Sequence, residues 1–164
     1  MVNSKMAENL IKTPAPVNNA GASDKEIYVE TIVKQLYTTI IEQDFIGESL
    51  NNLDAAAKEL GGEEVLYVVS VYLYRVTIER ERARQKIKYM YNILKNKKYT
   101  TSKGKAKLAI HTANLLRSLS AIDAIYNTMC EINGIYYNKQ VDCKNITNKL
   151  AALVFFTEDL LLSL

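Results

Sequence analysis

The chain has one histidine, two cysteines and two prolines, and each of these shortages excludes a class of protein. A single histidine excludes, within one subunit, the usual di-iron sites of helical bundles, which need a Glu-x-x-His motif on each of two helices. Two cysteines thirteen residues apart do not make a zinc site, so no metal site is predicted. Six glycines and two prolines supply few turns, which disfavours an all-β fold and favours helices.

Long apolar runs are also lacking. No stretch reaches the roughly 18 uninterrupted apolar residues of a membrane span. The first residues, MVNSKMAENLIKTPAPVNN, lack the apolar core of a signal peptide. We therefore expect a cytoplasmic protein without a membrane partner. In that compartment Cys130 and Cys143 are expected to be reduced thiols, although a turn between them could bring them close enough to pair.

The length of 164 residues is that of one domain with a full hydrophobic core. Residues 1–22 contain both prolines and no sustained period, which predicts a flexible N-terminal tail before a single domain over residues 23–164. Helical periodicity and capping signals predict four long helices and one short helix within residues 46–62. The long helices cover about 24–45, 63–96, 102–132 and 145–164. Short connections make neighbours antiparallel, so we predict an all-α, up-and-down four-helix bundle with one additional short helix.

The helix over residues 63–96 carries a core stripe at helical spacing, formed by Val65, Val69, Tyr72, Val76, Ala83, Ile87, Met90 and Leu94. In its first half the segment VLYVVSVYLY, residues 65–74, is apolar on every side. A helix that is apolar all round is buried all round. This segment is therefore either central in the bundle or part of a subunit interface, and we predict a homo-oligomer, a dimer or a trimer.

Positive charge is concentrated in one region. From Arg75 to Lys107 there are twelve cations against Glu79 and Glu81, a local charge of +10 that leaves −7 on the rest of a chain with net charge +3. Antiparallel topology predicts that the end of the 63–96 helix and the start of the next one form a basic tip. The opposite end of the bundle is expected to gather acidic residues, Asp44 among them.

Within this basic region, residues 75–91 read RVTIERERARQKIKYMY. Arg80, Arg84 and Lys88 are like charges four residues apart, which destabilise the helix that carries them. Cations at a helix start, as in SKGKAK, oppose the helix dipole but suit a phosphate. The candidates for binding an anion or nucleotide are Arg80, Arg84, Lys88, Lys103 and Lys105, with Glu79 and Glu81 in support.

Two functions follow from these patterns, and neither names a catalytic residue. In the first, the protein holds a nucleotide or another phosphate-bearing anion at its basic tip without catalysis; nucleic acid is the less favoured partner. In the second, it is an assembly protein that acts through oligomer or partner interfaces and binds no ligand. A competing interpretation of the charges is internal pairing, with carboxylates such as Glu158 and Asp159 facing the cations and Glu79 as a structural ion-paired residue.

The segment TIERERAR (residues 77–84) and the apolar last helix, NKLAALVFFTEDLLLSL, resemble the helical bundle of the cobalamin adenosyltransferases, and also small archaeal bundle proteins of that fold. The resemblance implies a trimer with an ATP site at a subunit boundary, with Arg80, Glu81 and Arg84 as nucleotide contacts. It also implies ATP and cobalamin as the ligands to test, and transferase chemistry for any activity. The family's glycine-rich N-terminal phosphate loop is missing here, so the resemblance bears on the fold more than on the reaction.

Overall fold

The computed structural model describes residues 23–60, 62–132 and 141–164, and all regular structure in these ranges is helical. Its elements are α1 (Asp24–Tyr37), a π-helical turn (Thr38–Glu42), α2 (Phe45–Leu60), α3 (Glu63–Lys95), a 3-10 turn (Lys98–Thr100), α4 (Ser102–Ile132) and α5 (Cys143–Ser163). The predicted all-α bundle with one additional short helix is confirmed. The predicted tail lies outside the described residues, and the division into a tail and one domain stays a prediction.

Local capping fixes where several helices begin. Ser23 accepts a hydrogen bond from the amide of Glu26 at 3.2 Å, as the capping signal predicts for α1. Asp142 accepts from the amide of Asn145 at 3.0 Å and so starts α5. Since the first amides of a helix have no partner within it, these side chains satisfy donors that would otherwise be lost.

The first two helices form one broken helix that runs antiparallel to α3. Tyr37 stacks on Tyr91 with ring centroids 4.3 Å apart, and Asp44 meets Arg80, so rising numbers on one side match falling numbers on the other. The break lies at Asp44, whose φ of 46° is left-handed. Aspartate tolerates this conformation better than most residues because its short side chain can bond locally.

The remaining helices close the bundle. Tyr89 of α3 lies beside His111 of α4, Cys130 of α4 lies beside Cys143 of α5, and the Tyr28 hydroxyl of α1 donates to Asp159 of α5. The broken helix of α1 and α2, then α3, α4 and α5 therefore run antiparallel in turn, as the short connections predict. Tyr126, fully buried in α4, donates its hydroxyl to the carbonyl of Ile46 at 3.1 Å and ties α4 to the start of α2.

The inner face of α3 follows the predicted core stripe in its main part. Val65 and Tyr72 are only partly buried, and Leu73, which was not in the predicted stripe, is buried beside them. The buried residues of α3 are Val69, Leu73, Val76, Ala83, Ile87, Met90 and Leu94. They share one core cluster with side chains from all four other α-helices.

The apolar segment of residues 65–74 is not central in the bundle. Tyr67, Val71 and Tyr74 are exposed, because α3 lies at the surface of the bundle and turns only one side toward the core. This alternative is therefore wrong, and a subunit interface stays a prediction. None of the helices in the described part of the chain is both long enough and apolar enough to cross a lipid bilayer.

Candidate functional site

Two clusters of cations lie along α3, and the structure treats them differently. The first, here called the kink cluster, comprises Arg80 and Arg84 of α3 and Asp44 at the break between α1 and α2. Arg80 donates from Nε to Asp44 Oδ1 at 2.9 Å and from Nη2 to Oδ2, a bidentate pair. Arg84 places Nη1 3.5 Å from Asp44 Oδ1 and donates to the carbonyl of Ile40 at 3.3 Å.

The kink cluster repairs the backbone break. The carbonyl of Ile40 belongs to the last turn of the first segment, where an arginine is favourable both as a donor and as a cation. Asp44 precedes α2 and accepts at 3.3 Å from the amide of Gly47. A Cβ on Gly47 would come within 2.3 Å of Asp44 Oδ2, so this glycine leaves room for the carboxylate. Arg80 and Arg84 thus hold the two halves of a broken helix together.

Electrostatics at the kink agree with this geometry. Desolvation is the largest single influence on Asp44 and acts to raise its pKa, but the hydrogen bonds and charges of Arg80, with Gly47 and Arg84, together lower the pKa below its ordinary value. The pKa of Arg80 is raised by its bond to Asp44. Both groups are therefore charged over a wide range of pH.

Asp44 does not lie at an acidic end of the bundle, as the sequence analysis predicted, but beside the middle of α3. That prediction treated α1 as one helix up to residue 45 and placed its end level with the start of α3. Instead, α2 continues past the break alongside the first half of α3. Asp44 therefore meets Arg80 and Arg84 near the midpoint of α3. Glu158 and Asp159 are not their partners: Asp159 accepts from Tyr28, and Glu158 is exposed.

The second cluster, here called the tip groove, lies where α3 ends and α4 begins. It is a surface cavity of about 450 Å³. Its cationic and titratable lining residues are Lys98, Lys103, Lys107 and His111. The rest of the wall is formed by Tyr89, Asn92, Ile93, Asn96, Thr101 and Gly104. The size falls within the usual range for a small-molecule site, and the lining combines apolar surface with converging polar groups.

Backbone packing builds the wall of the tip groove. The Thr101 hydroxyl donates to the Lys98 carbonyl at 2.9 Å and accepts from the amide of Gly104 at 3.0 Å, which caps α4. Gly104 is buried against this turn, and a Cβ there would lie 1.4 Å from the Lys98 carbonyl oxygen. Only glycine allows the backbone of α4 to come this close to the Lys98 carbonyl. Gly104 therefore determines the positions of Lys103 and Lys107 relative to Lys98.

His111 forms the inner wall of the groove. Its ring lies against that of Tyr89 at 5.1 Å between centroids, and its Nδ1 is buried with no hydrogen-bond partner among the described residues. Desolvation, followed by the charges of Lys86 and Lys107, lowers the pKa of His111. The site is therefore electropositive and contains a polar atom without a partner.

No carboxylate contacts the lysines of the tip groove within the described residues, although Glu30 and Glu26 lie near its edge: after desolvation, their charges raise the pKa of Tyr99, the neighbour of Lys98 in the chain. No salt bridge joins Lys98, Lys103 or Lys107 to an acidic side chain in those ranges. Asp159, which was expected to face the cations, instead accepts a hydrogen bond from Tyr28.

The residues chosen from the sequence are thus distributed over three places. Arg80 and Arg84 lie in the kink cluster, Lys103 lines the tip groove, and Lys88 and Lys105 are exposed outside both. Glu79 pairs with Arg82 at 2.7 Å, as a structural ion pair, and Glu81 is exposed 4.0 Å from Arg80. Lys98, Lys107 and His111 were not among the predicted site residues, although the antiparallel register of α3 and α4 brings them together.

The two cysteines are free thiols in contact with each other. Cys130 Sγ lies 2.7 Å from Cys143 Sγ, and both residues are buried. Desolvation is the main cause that raises the pKa of each thiol. The two sulfurs are close enough for the cysteines to pair, and the reduced state expected from the sequence stays a prediction.

Within residues 23–60, 62–132 and 141–164, no group of three or more His, Cys, Asp or Glu side chains is arranged to hold a metal ion. Comparisons with protein-family models, with characterised proteins and with solved structures found no match to this chain. Any functional assignment therefore depends on the geometry of the site itself.

Proposed function

We propose that this protein binds a small phosphate-bearing molecule, such as a nucleotide, in the tip groove. The observation that carries the proposal is the convergence of Lys98, Lys103, Lys107 and His111 on one cavity without a described carboxylate partner. Like charges held together at the start of a helix destabilise the protein that carries them. A bound phosphate would remove this cost and would accept hydrogen bonds from the lysines.

The remaining lining residues suit the rest of such a ligand. Asn92 and Asn96 can donate to and accept from sugar or base atoms, and Tyr89 and Ile93 provide apolar surface. Tyr89 already contacts His111 on one side and has Lys86 Nζ 5.6 Å from its ring centroid, so the contact with an aromatic base is limited to its exposed part. Charge is therefore expected to contribute more to affinity than stacking.

Thermal unfolding with ATP, tripolyphosphate and adenosine tests the proposal. At a ligand concentration ten times Kd, binding adds about 1.4 kcal/mol to stability, or roughly 3–6 °C in Tm for a chain of this size. ATP and tripolyphosphate should both raise Tm, and adenosine should not. A Lys103→Ala/Lys107→Ala variant should lose the increase.

Lys105→Ala is the matched control, since Lys105 lies in the same turn of α4, is exposed and does not line the groove. Its response to ATP should equal that of the parent at the same ionic strength. An equal loss in both variants would show a diffuse charge effect and would contradict a built site. The absence of any increase at millimolar ATP would contradict the proposal altogether.

An Arg80→Ala/Arg84→Ala variant tests the site that the resemblance to cobalamin adenosyltransferases implies. If the tip groove is the site, this variant is less stable than the parent but keeps its full response to ATP. The reason is that the two arginines removed in it bind Asp44 in the parent and do not line the groove. If the response to ATP disappears here and persists in Lys103→Ala/Lys107→Ala, the nucleotide binds at the arginines and the tip groove is not the site.

A further inference from the structure

A line of large apolar side chains lies on the outer side of α3, away from both cation clusters. Its members are 72 % exposed at Tyr67, 47 % at Val71, 69 % at Tyr74 and 37 % at Ile78. Their spacing of four, three and four residues places them along one side of the helix. These four residues are here called the outer stripe, and Val68, also exposed, adjoins it.

The outer stripe lies opposite the core. At 100° per residue, the buried Val69 and Val76 point about 180° away from the mean direction of the stripe. The first half of α3 therefore has two apolar faces, of which the bundle uses one. In the second half the outer side of the same helix carries Gln85 and Asn92, with Tyr89 between them at the tip groove, so the unbroken apolar line is confined to the first half.

The exposed area is large for a free surface. The exposed fractions, applied to ordinary side-chain areas, give roughly 500 Å² for the stripe with Val68. That value is near the upper end of the largest apolar patches on monomeric proteins, which are often functional. With the polar residues that flank it, the stripe approaches the roughly 800 Å² per partner of a standard protein interface.

We infer that the outer stripe binds the outer stripe of a second copy of this chain, in an antiparallel two-fold dimer. A two-fold axis between Val71 and Tyr74 places Tyr67 of each copy opposite the partner's Ile78, so a single straight stripe is self-complementary. A parallel pairing would instead bring Glu63 and Glu64 of both copies together at one end. The antiparallel arrangement separates these acids.

This dimer leaves both tip grooves open. Asn92 and Asn96 lie about twenty residues from the centre of the stripe, which corresponds to roughly 30 Å along the helix. The two grooves therefore lie toward opposite ends of the dimer and do not contribute to its interface. Dimerisation and phosphate binding can fail separately, so a negative result for one does not decide the other.

The test is the mass of the full chain in solution, measured by light scattering over a dilution series. The parent should have twice its mass of 18.5 kDa. Tyr67→Glu/Tyr74→Glu should be monomeric, with the dimer Kd raised at least about 100-fold, because the variant buries four carboxylates in the interface and loses Tyr74, the large aromatic beside the axis. Both tyrosines are mostly exposed, so the fold should survive, which circular dichroism and the response to ATP can verify.

Mixing two variants of opposite charge tests whether the outer stripes of the two copies face each other in the dimer. Tyr67→Lys/Tyr74→Lys should also be monomeric alone, but an equimolar mixture with the Glu variant should form a heterodimer, because residue 74 of each copy lies beside the axis. Leu162→Glu is the control, since Leu162 is 80 % exposed on α5, and it should stay dimeric. A monomeric parent, a Glu variant that is still dimeric, or a mixture that does not pair would each overturn the inference.

Discussion

The kink cluster and the tip groove contain the same kind of charge on neighbouring parts of the chain, yet they are built differently. At the kink, Arg80 and Arg84 share one carboxylate, Asp44, and bond to a backbone carbonyl. At the tip, Lys98, Lys103 and Lys107 surround a cavity and have no salt bridge within the described residues.

The kink cluster shows that several cations close together in the sequence do not by themselves make a binding site, because two of them are used to hold Asp44. Arginine suits the kink because its planar guanidinium can bond a carboxylate with two nitrogens and still reach a carbonyl. Lysine would suit the ligand proposed for the tip, because a flexible ammonium can adjust to the position of a phosphate. The kink is held by side chains, whereas the groove wall is held by backbone packing at Gly104.

The largest expected effect is that of Gly104→Ala, which breaks the groove without changing its charge. The new Cβ would lie 1.4 Å from the Lys98 carbonyl oxygen, and backbone atoms can yield only if the turn shifts. We expect a loss of about 2–3 kcal/mol in the free energy of unfolding, measured by urea denaturation. The ATP response should also fall, since Lys98 moves relative to Lys103. A variant as stable as the parent would contradict the packing of this turn.

The next largest effect is expected of Asp44→Ala. This variant removes the carboxylate beside the arginines of the kink cluster, so that their charge, like that of the lysines in the tip groove, has no close acidic partner at that position. Loss of the helix cap, the ion pairs and the tolerance for a positive φ should cost about 2 kcal/mol. Arg84 then lacks a carboxylate and Arg80 keeps only Glu81, 4.0 Å away and exposed, so inorganic phosphate should restore part of the lost stability. This recovery should persist in a triple variant that also carries Lys103→Ala and Lys107→Ala.

Asp44→Asn is the control for the backbone effect. Asparagine adopts a positive φ and caps a helix, so this variant should lose less stability than Asp44→Ala while it still lacks the charge. Equal losses would show that the cap and the backbone conformation, rather than the arginines, determine the stability of the kink.

Part of the fold could be predicted from the sequence alone, and part could not. Helical periodicity and the capping signal at Ser23 predicted the helices and the order in which they pack, because these depend on residues near one another in the chain. The end of the first helix was predicted at residue 45, next to the break at Asp44, but no local pattern shows that α2 then continues in the direction of α1. A shift of α2 along α3 then decides which acid meets Arg80, and local patterns do not contain that register.

The same reasoning applies to the tip groove. Lys103 was selected as part of a local run, but Lys98 and His111 belong to the site only because α3 and α4 are antiparallel and Gly104 brings their connection close. His111 is partly buried where it lines the groove. Its unpartnered Nδ1 is a property of the packed structure only.

The two clusters should also differ in how stability depends on pH. The pKa of His111 is lowered in the folded state from an ordinary 6.5, so the unfolded state binds the proton more strongly and stability falls as pH drops through this value. The pKa of Asp44 is lowered from 3.8, so its contribution is present above that pH and is lost as pH falls through its folded pKa.

Urea denaturation between pH 3 and pH 8 separates these steps. His111→Gln should remove only the step near neutrality, and Asp44→Asn should remove only the acidic one. Lys86 and Tyr89 of α3 and Lys103 and Lys107 of α4 lie at or near His111, so bound phosphate should raise the pKa of His111, which NMR of its ring protons can follow. A pKa of His111 unchanged by saturating phosphate would place the anion outside the groove.

The smallest expected effect is that of single lysine-to-glutamate substitutions at the start of α4. They distinguish a lysine that only affects stability from one that contacts the proposed ligand. Lys105→Glu places an acid in the first turn of α4, where the helix dipole favours it, and should stabilise the protein by about 0.3–1 kcal/mol at low salt. Lys103→Glu makes the same exchange two residues earlier and should stabilise α4 by a similar amount. Only Lys103 lines the groove, so only Lys103→Glu should abolish the rise in Tm with ATP. If both variants keep that rise, the lysines at this tip are a solvated face of the bundle, and they differ from the arginines of the kink only in having no acid beside them.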